Sequence, residues 1–371
     1  MKHNAPTTDV THTDLAHESA VKHVTGRANY TDDIAEPAGT LHAYLGLSDI
    51  AHGEISALDL DNVLSAAGVV GVLTSGDIPG CNDISPTGLN DEPVLADTKV
   101  EFWGQPVFAV IAETRDQARR AAKKAKITWR PLPHASDIEA AQKAGYANVT
   151  APLKLERGTI ETSLDTAAHR LQGRIRIGGQ DHMYLEGHIA FAMPGEDEDV
   201  TVFSSTQHPS EAQHMIAHVL GVAAHAVTVK VRRMGGGFGG KETQMNIFCA
   251  VAAIAAKRWN RPVKLRPDRD DDMRATGKRH DFVANYEVGY NDKGQIQGVK
   301  IDFAARCGYS LDLSKAIVSR ALFHADNAYY LPNALFRGFL CKTNTASNTA
   351  FRGFGGPQGM LAIENIIEEI A

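Results

Sequence analysis

The 371-residue chain is poor in cysteine: Cys81, Cys249, Cys307 and Cys341 lie far apart and form no Cys-x-x-Cys pair. Such spacing assembles neither a zinc site nor an iron–sulfur cluster, and a reduced, cytoplasmic setting is expected. Positive charge is not in excess either, with 38 Lys and Arg against 44 Asp and Glu and a formal net charge of -6. That balance argues against nucleic acid or an anionic membrane as partner. Long apolar runs are also missing: the longest, about residues 247–256, is far short of the roughly 20 residues a membrane span needs. The first twenty residues lack the apolar region of a secretory signal. What is present, 43% hydrophobic and 22% charged residues, is enough for a sizeable core and for two domains.

Residues 1–22 are polar, rich in His and Thr and without periodicity, which predicts a flexible arm. Residues 23–132 read as a small α/β unit. Strands are expected at 68–75 and 106–113, and a helix at 115–126 opens on Thr114 with Ala118, Ala121, Ala122 and Ala125 on one face. A Pro-containing segment at 133–157 is the expected linker, and a mixed α and β domain follows over 158–371. There, a helix from Ser210 stops at Gly221, Val227, Val229 and Val231 alternate as a half-buried strand, and the turn at 291–294 joins a hairpin. His214 and His218 share a helix face, but no HExxH pattern is completed, so a solvated face is expected.

Two stretches echo one another, "MGGGFGGKE" at 234–242 and "FRGFGGPQ" at 351–358. Gly235, Gly237 and Gly240 satisfy the GxGxxG dinucleotide pattern between a strand and a helix, yet the next strand brings no acidic residue at the usual distance. The physical content of the loops is broader than that label. Glycine clusters remove Cβ atoms, admit positive φ and leave backbone N–H groups free for anionic or oxo ligands. Phe238 and Phe354 add an aromatic group to each loop, so a single cavity closed by both is expected, against the plainer alternative of two tight turns. A third cluster, "GGQDHMYLEGH" at 178–188, is too polar for an ordinary buried strand and fits a cavity wall better.

These motifs, with "DRDDDMRATGKRHDF", "SRALFHADNAYYLPN" and "KTNTASNTAFRGFGGPQ", resemble the xanthine dehydrogenase branch of the xanthine oxidase family of molybdenum hydroxylases. Earlier stretches, "HVTGRANYTDDI" and "EPVLADTKVEFWGQPVF", resemble that family's α/β hammerhead domain. The resemblance implies an α+β fold, a hammerhead domain followed by the first part of a molybdopterin-binding domain. It implies hydroxylation of hypoxanthine to xanthine and then urate at a molybdenum-pterin cofactor, with the metal held through the pterin dithiolene and not by a protein ligand. Electrons would leave through 2Fe-2S clusters and FAD on a separate small subunit, in a homodimer of heterodimers.

Carried over residue by residue, Gln180 hydrogen-bonds a ligand of the metal, Phe238 and Gly239 line its surroundings, and Arg352 helps to hold the cofactor. Glu242 hydrogen-bonds the purine, Arg320 binds its carbonyl and stabilises negative charge on the ring, and Phe354 stacks on it. The Glu242 and Arg320 pair favours a purine over an aldehyde, because buried charges without polar ligand partners are costly.

Two departures from the family stand out. Asp181 occupies a place where Glu is usual, and the region carrying the family's general-base glutamate has no counterpart, so the isolated chain is expected to be inactive. Met360, Ile363, Ile366, Ile367 and Ile370 form an apolar helical stripe with no evident partner, which suggests a truncated piece of a longer subunit. Alternatives are a non-catalytic remnant or assembly module, an aldehyde oxidase-like hydroxylase and, more distantly, a nicotinamide-binding dehydrogenase.

Overall fold

The computed structural model describes residues 14–371, so the first thirteen residues of the expected arm lie outside the described residues. Three sheets organise the rest. The largest has seven strands in the order β11 (Val227–Lys230), β10 (Val200–Ser204), β9 (Ala190–Pro194), β12 (Val263–Leu265), β1 (Leu41–Leu47), β5 (Pro106–Ala112) and β3 (Val69–Leu73). A five-stranded sheet runs β7 (Leu153–Arg157), β15 (Ala334–Lys342), β14 (Ile296–Gly308), β13 (Phe282–Tyr290) and β8 (His169–Ile177). A small sheet comprises β4 (Lys99–Val100), β2 (Gly53–Asp59) and β6 (Lys126–Pro131). The helices are α1 (Ala20–Val24), α2 (Asp61–Leu64), α3 (Arg115–Ala122), α4 (Ile138–Lys143), α5 (Ile160–Asp165), α6 (Pro209–Leu220), α7 (Asn246–Trp259), α8 (Arg269–Ala275), α9 (Ser314–Phe323) and α10 (Gly356–Ile370). The fold is mixed α+β, and none of its helices is long and apolar enough to cross a membrane among the described residues.

Local sequence explains the main elements. Thr114 accepts a hydrogen bond from the Gln117 backbone N–H and caps α3, which buries Ala118 and Ala121, turns Arg115 and Arg119 toward Asp268 and leaves Arg120 in solvent. Helix α6 has Pro209 in its first turn and ends on Gly221 in the left-handed conformation. Because α7 is apolar all round, it lies inside, buried from Phe248 to Ala256 against the seven-stranded sheet. Strand β5 is buried along its whole length, as a central strand should be.

The long sheet ties the two halves of the chain together. Strand β1 pairs in parallel with β12, Leu41 opposite Val263, and both contribute to one core with α6 and α7. The segment 133–157 carries α4 and β7, and Ala135 exchanges hydrogen bonds with Asn344 at 2.7 and 3.1 Å. The path from β11 through the first glycine loop and α7 to β12 skips two strands, β10 and β9. A dinucleotide unit returns its helix to a neighbouring parallel strand, so the GxGxxG match here is a coincidence of composition.

The apolar stripe of α10 is covered, contrary to the expectation from sequence. Ile363 and Ile366 are fully buried and Ile367 and Ile370 pack beside them, against the five-stranded sheet and α9; Met360, 38% exposed, is the least covered of the stripe. The partner was within the chain, on strands far away in sequence.

Candidate functional site

The two glycine loops meet. Arg352 N–H donates to the Phe238 carbonyl at 2.8 Å, and a Cβ on Gly239 would stand 2.6 Å from the Ala350 backbone. Between them opens a cleft of about 510 Å³ lined by Gln207, Phe238, Gly239, Glu242, Ala350, Phe351, Arg352, Gly353 and Phe354. That size is ordinary for a small-molecule or cofactor site. Both phenylalanines sit in left-handed backbone, φ 53° at Phe238 and 49° at Phe354, each followed by a glycine at φ 100° or 90°. Bulky residues seldom adopt such φ, and strain of this kind collects at ligand sites. Phe238 nevertheless leaves 47% of its surface exposed along the cleft, so packing within the protein offsets only part of the strain.

Phe238, Gly239, Glu242, Arg352 and Phe354 are thus brought together as the sequence suggested. Glu242 is half-buried, no side chain hydrogen-bonds it, and burial, opposed in part by nearby His208 and aided by Glu211, raises its pKa from the ordinary value. Arg320 is not among the cleft's lining residues. It lies exposed on α9, whose backbone abuts the second loop: a Cβ on Gly355 would fall 2.0 Å from the Ile317 carbonyl. Gln180 is also exposed and reaches the loops through an intermediary, Arg279.

Sequence reasoning missed the residues that hold the loops in place. Gln207 Oε1 accepts from the N–H groups of Gly239 at 2.8 Å and Lys241 at 3.2 Å, clamping the first loop from the cleft side. Behind it, Glu186 accepts from the Gly235 N–H at 2.7 Å, and the fully buried Lys241 ammonium donates to the Glu186 carbonyl at 2.6 Å. Burial lowers the Lys241 pKa to about 8 despite Glu186. His188 lies between Asp272 at 3.0 Å and the Gly240 carbonyl at 3.2 Å, and Tyr184 donates to the same Asp272 at 2.9 Å. The polar segment 178–188 is therefore mainly a support behind the loops, with His182, Tyr184 and His188 buried, and much less a cavity wall than its composition suggested.

His182 joins the two loops. Its Nε2 donates to the Ala350 carbonyl at 2.7 Å, its ring stacks on Phe351 at 4.5 Å, and a Cβ on Gly240 would collide with it. Burial pulls its pKa down to about 4, so it is the neutral imidazole that holds this junction. Among the described residues no three His, Cys, Asp or Glu side chains cluster as metal ligands. The glycine backbones, the three phenylalanines and the open volume of the cleft suit an organic cofactor.

Comparison with known proteins places these features in context. The family model described as the molybdopterin cofactor-binding domain matches residues 142–371, and that of the aldehyde oxidase and xanthine dehydrogenase a/b hammerhead domain matches residues 25–133. A xanthine dehydrogenase of Oryza sativa subsp. japonica is 44% identical over 360 residues, covering 96% of this chain and 26% of its own length. A xanthine dehydrogenase/oxidase of Gallus gallus is 42% identical over 361 residues, with the same coverage. The chain therefore spans about a quarter of the length of these curated relatives. Among solved structures, an aldehyde oxidoreductase from Desulfovibrio gigas superimposes with a TM-score of 0.89 at 28% identity, over 95% of this chain and 41% of the other.

Proposed function

The chain belongs to the molybdopterin cofactor-binding family and carries the a/b hammerhead domain of aldehyde oxidases and xanthine dehydrogenases; from that premise we propose that it forms the loop-built part of a purine-hydroxylating site. The observation that carries the choice of a purine is Glu242. A half-buried carboxyl that no side chain hydrogen-bonds, in a cleft lined by Phe238, Phe351 and Phe354, suits a polar ligand edge, and a purine offers ring N–H and carbonyl groups away from the reacting carbon where a simple aldehyde offers only its reacting carbonyl.

Within that reading the residues divide by position. Gln180, Phe238, Gly239 and Arg352 hold the metal-bearing end of a molybdenum-pterin cofactor, which supplies the two-electron chemistry of hydroxylation when bound. Phe354 stacks on the purine and Glu242 hydrogen-bonds its edge, while Arg320, from the helix beneath the second loop, favours negative charge on the ring. The general base is assigned to none of these side chains. FAD and 2Fe-2S clusters belong to a partner polypeptide, in keeping with four cysteines that form no Cys-x-x-Cys pair in these 371 residues.

The test compares xanthine with an aromatic aldehyde as substrates of the complete protein, purified from its own cells with whatever accompanies it, before and after Glu242→Ala. Turnover of xanthine and its selective loss in the variant are expected, with any aldehyde activity kept. Preference for the aldehyde in the unsubstituted protein would remove the purine from the proposal.

A further inference from the structure

Arg279 occupies the junction of the polar segment and the second loop with only 8% of its surface exposed. Its Nε–H donates to Gln180 Oε1 at 2.8 Å, its Nη2 donates to the Arg352 carbonyl at 2.8 Å, and its guanidinium lies 4.0 Å from the centre of the Phe351 ring. Its Nη1, though buried, has no partner. Burial alone lowers its pKa, and no carboxylate stands near enough to raise it. A buried cation without a counter-charge is costly, and the face of Phe351 offsets only part of the cost.

The donor-only chemistry of arginine has a consequence for Gln180. The amide atom that faces Arg279 must be the carbonyl oxygen, because a guanidinium cannot accept a hydrogen bond. The other end of the amide, its NH₂, is left on the exposed side without a protein partner. Gln180 is thus fixed as a donor, and the same arginine adds unbalanced positive charge beneath it.

We infer that Arg279 is a positioning residue that locks Gln180 as an outward hydrogen-bond donor and, through its uncompensated charge, selects an oxo or oxyanionic ligand at the junction with the second loop. This rests on the molybdenum-pterin reading above, in which such an oxygen belongs to the metal end of the cofactor. A low local dielectric strengthens both contributions, the oriented N–H and the field of the cation.

Molybdenum and pterin content per chain provides the test. The protein is purified from its own cells with its natural partners as the unsubstituted form, Arg279→Met, Arg279→Lys and Gln180→Glu, each checked by a circular-dichroism melt. Arg279→Met is expected to lose at least about fivefold in molybdenum while folded, and Arg279→Lys to recover part, since lysine keeps the charge without the fork. Gln180→Glu separates donor from tether: it pairs with Arg279 more strongly yet offers only acceptor oxygens, and it is expected to lose the metal to a similar degree. Full molybdenum in Gln180→Glu, or in a folded Arg279→Met, overturns the inference and leaves the cofactor reading standing. If Arg279→Met does not fold, Gln180→Glu decides by itself. Absence of molybdenum from the unsubstituted protein overturns both.

Discussion

The two glycine loops share the tetrapeptide Gly-Phe-Gly-Gly and the same Phe-Gly backbone bend, but they need their glycines for different reasons. In the first loop an added Cβ would meet side chains at Gly235 (Glu186), Gly237 (Gln207) and Gly240 (His182), and backbone at Gly239, 2.6 Å from Ala350. In the second it would meet the Pro357 ring at Gly353 and, at Gly355, the backbone of α9, with the Ile317 carbonyl 2.0 Å away. At Gly237 the first loop is therefore held by a polar clamp, Gln207, that can adjust, whereas at Gly355 the second is wedged against a helix that cannot. An echo in sequence is not an echo in energetics.

The strongest way to break this contrast is a pair of alanine substitutions. Gly355→Ala combines a clash with backbone and a φ of 90° that alanine resists, and should cost about 4 kcal/mol or prevent folding. Gly237→Ala has ordinary φ and displaces only the end of Gln207, losing the clamp on Gly239 and Lys241, for about 1–2 kcal/mol. Urea melts of the chain measure both. Equal losses would mean that the two loops are held alike and that side-chain give at the first is illusory.

A second test sharpens the comparison at the place where the loops join. His182 is neutral in the fold, with its pKa lowered to about 4, and ordinary near 6.5 when unfolded. Between those values the unfolded chain binds the extra proton, so stability rises with pH across the window and is lost as pH falls from about 6.5 to 4. The shift corresponds to on the order of 3 kcal/mol, and His182→Gln, which can still donate to the Ala350 carbonyl, should flatten that part of the acid limb. Stability measured from pH 7 to 4 checks it; an unchanged acid limb would assign the effect to other groups, of which the buried His280, lowered to about 3, is the foremost.

What was legible in the sequence follows the same division between local and distant causes. The cap at Thr114, the stop at Gly221, the alternation through β11 and the meeting of Phe238 with Phe354 rest on local periodicity or on repeated composition, which a single sequence displays. Gln207 and Arg279 had no such signal. Gln207 acts on a loop 32 residues away, and Arg279 grips Gln180 and Arg352 across 99 and 73 residues. The stripe of α10 looks unpartnered in the sequence for the same reason: its amphipathic pattern announces a buried face but not the distant strands that bury it.

The smallest predicted effect bears on the half-buried carboxyl of the cleft. Glu242 has a raised pKa because burial opposes its charge, so the folded chain holds its proton to higher pH than the unfolded chain does. Stability is then greatest, for this group, below the ordinary glutamate pKa near 4.3, and falls as pH rises through that value to the higher folded one. Glu242→Gln removes the charge while keeping the shape, and should stabilise the chain at pH 7 by ~0.5 kcal/mol with little change at pH 4. The clamps around Gly239 do not touch Glu242, so no compensating loss is expected. Paired thermal melts at the two pH values measure the difference. A gain confined to neutral pH would mark Glu242 as a residue kept for a ligand at the expense of the fold, whereas equal or negative changes at both would mean that the chain already satisfies this carboxyl and that the cleft has no call on a polar substrate edge there.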